Sequence, residues 1–267
     1  MTKPHDAADG NALPPGGGSE LHIIGVRGIP EVHAGDDLAA LIADAARAQG
    51  TPLADADVLV VTQRVVSKAE GRVVPLAGFA PSAFARDWAE RWGLDARQVE
   101  AVLQESTRIV RQARGVLITE TRHGLICANA GVDASNVGGD GLVSLLPLDP
   151  DASCRGLRDA LRARTGVALA VVMTDTFGRA WREGQTNVAI GVAGLRPLRP
   201  YDGELDVDGR PLRVTMPCVA DELAAAGGLV MEKRAAIPAA IVRGYAYEAG
   251  EGSAREIVRP FERDLFP

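Results

Sequence analysis

Two hydroxyl side chains and one carboxylate follow the most apolar stretch of the chain. Val167 to Met173 is an uninterrupted apolar run of strand length, and Thr174, Asp175 and Thr176 come directly after it. Such a run is typical of a strand buried on both faces. Oxygen atoms at the carboxyl end of a buried strand lie where α/β proteins often bind ligands. The segment therefore predicts a ligand site at the end of this strand.

Glycines and charged residues follow at once, namely Gly178, Arg179, Arg182, Glu183 and Gly184. Guanidinium groups bind phosphate, carboxylates bind hard cations, and glycine lets a ligand approach the backbone. One interpretation is a site for a metal-phosphate ligand. The other is an ordinary turn, in which Asp175 caps the next element and the arginines are solvated. The segment alone leaves both open.

Four other turns combine glycine or polar residues with charge, at residues 28–31, 63–71, 131–136 and 231–237. If the fold brings them together, Asp133 and Asp175 can hold a hard divalent cation, with Thr176 and Asn136 as neutral oxygen donors. Lys68 and the arginines would then neutralise phosphates. Each turn by itself is ordinary loop chemistry, so the hypothesis depends on their convergence.

The hydrophobic pattern predicts an α+β fold, a mixed α/β arrangement with antiparallel hairpins. Strands are expected at 21–26, 58–61, 167–173 and 239–242, and a helix at 220–233. Residues 109–130 predict an antiparallel meander, and residues 205–214 a hairpin that turns at Asp208 and Gly209. Apolar residues recur at helical spacing along residues 82–104, and the pattern is interrupted at Gly93. Trp88 and Trp92 lie on one face of that segment, which favours a packing role.

Composition and missing motifs exclude several classes of protein. Residues 1–20 predict a disordered tail, and residues 21–267 the folded unit. No apolar run has membrane-spanning length and no signal peptide is present, which indicates a cytoplasmic protein without a membrane partner. The net charge of −6 disfavours nucleic-acid binding. P-loop, GxGxxG, GxSxG and HExxH motifs are absent, and the three cysteines and four histidines lack metal-ligand spacing.

Several segments, kept in order along residues 21–267, resemble the coenzyme F-420:L-glutamate ligases, a family that extends a deazaflavin cofactor with glutamate. The matching segments are GIPEVHAGDDL, DVLVVTQRVVSKAEGR, ESTRIVR, GLICANAGVDASNV, VVMTDTFGRAWREGQTNVAIG and VRPFERDLF. The resemblance implies that family's fold of two interleaved lobes, which is neither a P-loop nor a Rossmann fold. It also implies a homodimer.

The resemblance further implies a binding site. Asp133 and Asp175 correspond to ligands of one divalent ion and Thr176 to a ligand of a second, with Mg²⁺ or Mn²⁺ as the ions and K⁺ as a further candidate. The residues implied to contact GTP are Gly28, Ile29, Pro30, Glu31, Gln63, Arg64, Lys68, Asn136, Met231, Glu232 and Lys233. In the loop 231–238 the chain departs from the family, because Glu232, Ala235 and Ala236 replace a glycine, an acidic residue and a second glycine.

The implied activity is a GTP-dependent ligation that joins the lactyl carboxylate of F-420-0 to L-glutamate through an acyl phosphate. Lys68, with Arg179 or Arg182, would stabilise charge on the transferred group. The assignment of the two arginines rests on their charge and position, and they equally suit the deazaflavin phosphodiester or the glutamate carboxylates. Two alternatives stay open: a non-catalytic GTP- or deazaflavin-binding protein, and a metal-dependent phosphohydrolase.

Overall fold

The computed structural model describes residues 20–134, 139–231, 234 and 236–264. The predicted tail, except Glu20, lies outside this range. The strands are β1 (His22–Gly25), β2 (Val58–Thr62), β3 (Val73–Pro75), β4 (Ser106–Ala113), β5 (Val116–Thr121), β6 (Ile126–Ala128), β7 (Leu142–Ser144), β8 (Ala170–Arg179), β9 (Arg182–Ala193) and β10 (Ala239–Arg243). The helices are α1 (Leu38–Ala48), α2 (Gln63–Ala69), α3 (Ala83–Trp92), α4 (Ala96–Gln104), α5 (Pro150–Thr165) and α6 (Val219–Gly228).

A five-stranded mixed sheet in the order β1-β10-β2-β8-β9 forms the centre of the fold. Strands β2 and β8 are parallel, and the other neighbours are antiparallel. Alternate residues of β2 enter the two hydrophobic cores on either side of the sheet. Leu59 and Val61 pack with residues of α1 and α5, whereas Val58 and Val60 pack with residues of α6. The predicted α+β class and the two-sided burial of these strands are confirmed.

A third hydrophobic core lies between helices α3 and α4 and two small sheets, β3–β7 and β4–β5–β6. The second of these sheets is the predicted antiparallel meander. Gly93 ends α3 in the left-handed conformation, with φ of 67°, which explains the interruption between α3 and α4. Trp88 is buried in this core and has the expected packing role, whereas Trp92, whose ring lies 5.8 Å from that of Trp88, is 41% exposed.

Two predicted boundaries were wrong. Strand β8 continues past Met173 to Arg179, because β9 supplies a ladder partner for this polar half. Helix α6 ends at Gly228, where two glycines disfavour further helix. The hairpin predicted at residues 205–214 is present as a short antiparallel turn, in which Leu205 bridges Pro211 and the N–H of Asp206 donates to the carbonyl of Arg210. None of the described helices combines the length and apolar character needed to cross a membrane.

Candidate functional site

A cleft of about 810 Å³ opens at the carboxyl ends of β2 and β8. Because these strands are parallel, Thr62 and Thr174 lie side by side at the same edge of the sheet, and both line the cleft. All of the predicted turns contribute to this cleft. The predicted site residues in its lining are Ile29, Pro30, Glu31, Gln63, Arg64, Lys68, Asp133, Asp175, Thr176 and Met231.

The other predicted site residues have different positions. Gly28 precedes the lining residue Ile29 and has φ of 80°, a conformation that suits glycine. Arg179 and Arg182 lie opposite each other in the β8–β9 ladder, at the exposed tip of the hairpin. Neither residue lines the cleft. Asn136, Glu232 and Lys233 lie outside the described residues.

Helix α2 supplies the cationic side of the cleft. Arg64 and Lys68 are four residues apart and therefore share one helix face. The Lys68 side chain is 13% exposed, and its ammonium lies 2.5 Å from a carboxylate oxygen of Glu31. Gln63 is buried at the start of the helix, where its Oε1 accepts a hydrogen bond of 2.9 Å from the Ser67 hydroxyl. Two cationic side chains held in this way suit an anionic ligand.

Asp133, a further residue of the cleft lining, is held in place by its backbone. It exchanges two backbone hydrogen bonds with Ser144, of 3.1 and 2.8 Å, and its carboxylate accepts a hydrogen bond from Arg64. The chain reaches this position through three consecutive left-handed residues, 129–131. Gly131 is required there, because a Cβ atom would lie 2.9 Å from the side chain of Leu146.

Asp175 lies in β8, beyond the buried part of the strand. Its carboxylate accepts a hydrogen bond of 2.8 Å from the backbone N–H of Thr176. Burial, and then the charge of Asp175, raises the pKa of the Cys127 thiol in β6 to about 12. Cys127 therefore stays protonated at neutral pH, which argues against its use as a thiolate nucleophile.

The donor set fits a cation that is shared with a phosphate ligand. Two carboxylates, of Asp133 and Asp175, and the Thr176 hydroxyl line one cleft with Lys68 and Arg64. In the described part of the chain, no three His, Cys, Asp or Glu side chains form a group that could hold a metal ion. A site with one or two carboxylates is typical of Mg²⁺ whose other ligands are water and substrate phosphates.

The cleft also contains two residues that sequence reasoning missed, Gln185 and Asn187. Gln185 and Asn187 belong to β9, and only the β8–β9 pairing brings them to the cleft. The alternating pattern of β9 gave no signal of which side chains would face it. Ala236 lines the cleft with φ of 49°, so this position keeps a glycine-like conformation although it is alanine.

Comparisons with known proteins agree with this geometry. Residues 26–244 match the family model described as "F420-0:Gamma-glutamyl ligase". The chain is 47% identical to the "Coenzyme F420:L-glutamate ligase" of Methanothermobacter thermautotrophicus, over 92% of this chain and 98% of the relative. The proteins of the same name from Methanopyrus kandleri and Archaeoglobus fulgidus are 46% and 44% identical, over 88% and 92% of this chain and 93% and 96% of theirs. The chain therefore belongs to the F420-0:gamma-glutamyl ligase family.

Proposed function

We propose that this protein is a GTP- and metal-dependent ligase that adds L-glutamate to the lactyl carboxylate of F-420-0. The relatives that support the proposal are named for ligation of glutamate to coenzyme F-420. The observation that carries it is the meeting of two carboxylates, Asp133 and Asp175, with Arg64 and Lys68 in one cleft. Such a combination suits a polyphosphate bound together with divalent cations.

The proposed reaction has two steps. First, the γ-phosphoryl group of GTP moves to an oxygen of the lactyl carboxylate, which gives an acyl phosphate and GDP. Second, the α-amine of glutamate attacks the acyl carbon, an amide bond forms, and inorganic phosphate leaves as the amine loses a proton. A carboxylate is a poor acylating agent, and the first step makes it reactive. The task of the protein is mainly to position the groups and to neutralise their charge.

Each side of the cleft has a role in this proposal. Lys68 and Arg64 contact phosphate oxygens, and Glu31 orients the Lys68 ammonium through their 2.5 Å contact. Asp133 and Asp175 would hold one divalent cation and Thr176 a second. When bound, Mg²⁺ or Mn²⁺ would neutralise charge on the β- and γ-phosphates, and K⁺ is a further candidate. The remaining proposed nucleotide contacts are Gly28, Ile29, Pro30, Gln63, Asn136, Met231, Glu232 and Lys233.

Arg179 and Arg182 have a different place in the proposal. They lie at a hairpin tip and do not line the cleft of their own chain. We therefore propose that they serve catalysis from a homodimer, in which the hairpin of one subunit reaches the cleft of the other. Mixed dimers that combine an Asp175→Asn subunit with an Arg179→Ala, Arg182→Ala subunit test this. Activity in the mixed dimers, with neither parent active, supports the shared site.

The central experiment measures product mass. The protein is incubated with F-420-0, L-glutamate, GTP and Mn²⁺, and we expect a product heavier by one or more glutamyl units. Asp175→Asn should lower the rate by at least about 10²–10³-fold, because it removes a preorganised charge. Asp44→Asn, on the exposed face of α1, is the matched control and should keep the wild-type rate.

Three outcomes would contradict the proposal. Near-normal turnover of Asp175→Asn would remove the role of that carboxylate. GTP binding without any gain in product mass would support a non-catalytic binding protein. Release of phosphate at the same rate with and without glutamate would support a phosphohydrolase. Thermal unfolding of each variant separates loss of function from loss of fold.

A further inference from the structure

The hydroxyl of Thr176 has a defined partner inside the cleft. Its Oγ1 donates a hydrogen bond of 3.0 Å to Oδ1 of Asn187, and both residues line the cleft. A threonine hydroxyl has one proton and two lone pairs. Because the proton is directed to Asn187, the oxygen presents its lone pairs in the other directions. The contact thus makes the hydroxyl an acceptor toward anything else that approaches it.

A β-bulge creates this contact. Met173 pairs with Gly191 and Thr174 pairs with Ala189, so Ile190 is an extra residue in β9. Beyond this bulge, Thr176 lies directly opposite Asn187. Without the extra residue, Thr176 would lie opposite Val188, whose side chain cannot accept a hydrogen bond. Bulges of this kind often redirect side chains next to active sites.

The end of helix α6 provides the space for the Asn187 amide. A Cβ atom on Gly228 would lie 2.8 Å from Nδ2 and 3.1 Å from Cγ of Asn187. Real Cβ atoms do not approach other heavy atoms this closely, so a larger residue at position 228 would displace the amide. The bulge and Gly228 are independent features, and both lead to the same Thr176–Asn187 contact.

We propose that Asn187 is a positioning residue, which turns the Thr176 hydroxyl so that its oxygen faces a bound divalent cation. The inference rests on the proposed function, because that proposal assigns Thr176 to a cation. Asn187 itself accepts the proton and acts through Thr176. Hard cations bind oxygen lone pairs, so a hydroxyl whose proton faces the cation is a poor ligand. Fixing the hydroxyl beforehand removes that unproductive orientation.

Titration of the protein with Mn²⁺ in the presence of GDP tests the proposal without turnover. Asn187→Leu keeps the size of the side chain but removes the acceptor, and it should weaken Mn²⁺ binding at the affected site about tenfold. Thr176→Val removes the ligand oxygen and should weaken binding at least as much. The double variant should bind no more weakly than Thr176→Val, because Asn187 acts only through the hydroxyl that is already absent there. Asn187→Asp retains an acceptor and should bind Mn²⁺ at least as tightly as the wild type.

Two further variants complete the design. Thr186→Val changes the residue next to Asn187 that does not line the cleft, and it should leave Mn²⁺ binding unchanged. Gly228→Ala displaces the amide without removing it and should reproduce the loss seen in Asn187→Leu. It keeps the test informative if the leucine variant does not fold, since alanine is a better helix residue than glycine.

The possible failures are distinguishable. If Thr176→Val weakens Mn²⁺ binding and Asn187→Leu does not, the role of Asn187 is overturned and the proposed function stands. Additive losses in the double variant would also overturn a role that acts through Thr176. If the wild type binds no Mn²⁺, or Thr176→Val binds it normally, the proposed metal role of Thr176 fails, and the role of Asn187 fails with it.

Discussion

Arg64 donates a hydrogen bond to the carboxylate of Asp133, although the two residues are 69 positions apart in the chain. Their side chains are 23% and 34% exposed, so water only partly screens the pair. The carboxylate is therefore balanced by a positive charge before any cation arrives. A divalent cation must share Asp133 with Arg64, whereas a phosphate group gains from having Arg64 nearby.

This relationship predicts effects of opposite sign for Arg64→Gln. Binding of Mn²⁺ to the protein without nucleotide should tighten several-fold, because a competing positive charge is gone. Glutamate ligation should slow by about 10²-fold, because a group that stabilises phosphate charge is lost. Calorimetric Mn²⁺ titration and product mass measure the two quantities. Arg47→Gln, an exposed arginine of α1, is the control, and weaker Mn²⁺ binding in Arg64→Gln would contradict the interpretation.

The ion pair between Asp57 and Arg243 predicts a large effect on stability. Asp57 is completely buried and accepts two hydrogen bonds from the guanidinium, of 2.8 and 2.7 Å, and one from the N–H of Ala54. Arg243→Met leaves a buried carboxylate without its counter-charge, which should lower the free energy of unfolding by about 3–5 kcal/mol. Urea denaturation of the wild type and of Arg243→Met measures this change in the free energy of unfolding.

Two additional variants control the Asp57–Arg243 experiment. Arg47→Met removes an exposed arginine and should change stability by less than about 0.5 kcal/mol. Asp57→Asn combined with Arg243→Met removes both charges and should be more stable than Arg243→Met alone. A loss below about 1 kcal/mol for Arg243→Met would show that water reaches the carboxylate.

Replacement of glycine by alanine should have opposite effects on stability at Gly191 and Gly156. A Cβ atom on Gly191 in β9 would lie 2.6 Å from the carbonyl oxygen of Pro150, where α5 begins, so Gly191→Ala should cost about 1–3 kcal/mol of stability through overpacking. Gly156 lies on the exposed side of α5 with no atom near its Cβ position, so Gly156→Ala should add about 0.5–1 kcal/mol. Thermal unfolding compares them, and equal shifts would contradict the packing argument.

The sequence predicted which turns contribute to the cleft better than it predicted the contacts within the cleft. The turns at 28–31, 63–71 and 131–136 could be identified because glycine, charge and strand ends are local features. The turns that follow β2 and β8 meet because these strands are parallel, and the buried apolar runs predicted the strands but not their pairing. The Arg64–Asp133 pair joins distant segments, and no local pattern encodes such a pair.

The β8–β9 hairpin shows a second limit of sequence reasoning. The strand was predicted to end at Met173, where the apolar run ends. Strand β8 continues because ladder hydrogen bonds satisfy the backbone N–H and C=O groups of polar residues as well as those of apolar residues. The extra residue Ile190 shifts the register by one, and one residue decides whether Asn187 or Val188 faces Thr176. Nothing in the alternation of β9 marks the bulge, because isoleucine and valine fit either register.

The N-cap of α1 predicts how stability depends on pH. The Asp37 carboxylate accepts hydrogen bonds from the N–H of Ala40, at 2.9 Å, and from Arg164, at 2.7 Å. The Ala40 N–H lowers the pKa of Asp37 below its usual value of 3.8, partial burial opposes this, and Arg164 lowers it further. Because the pKa is lower in the folded state, the charged carboxylate stabilises the fold above about pH 4, and this contribution is lost as the pH falls through the folded-state pKa.

Two variants separate the cap from the charge. Asp37→Ala removes both and should cost about 1 kcal/mol at pH 7. Asparagine is an equally good N-cap, so Asp37→Asn should cost only about 0.5 kcal/mol, the contribution of an exposed ion pair and the helix dipole. Urea denaturation between pH 3 and pH 7 should show the wild type and Asp37→Asn converging as the pH falls below 4, while Asp37→Ala stays less stable than Asp37→Asn throughout. A constant gap between wild type and Asp37→Asn across that range would mean that the charge of Asp37 contributes nothing and that the cap acts through hydrogen bonding alone.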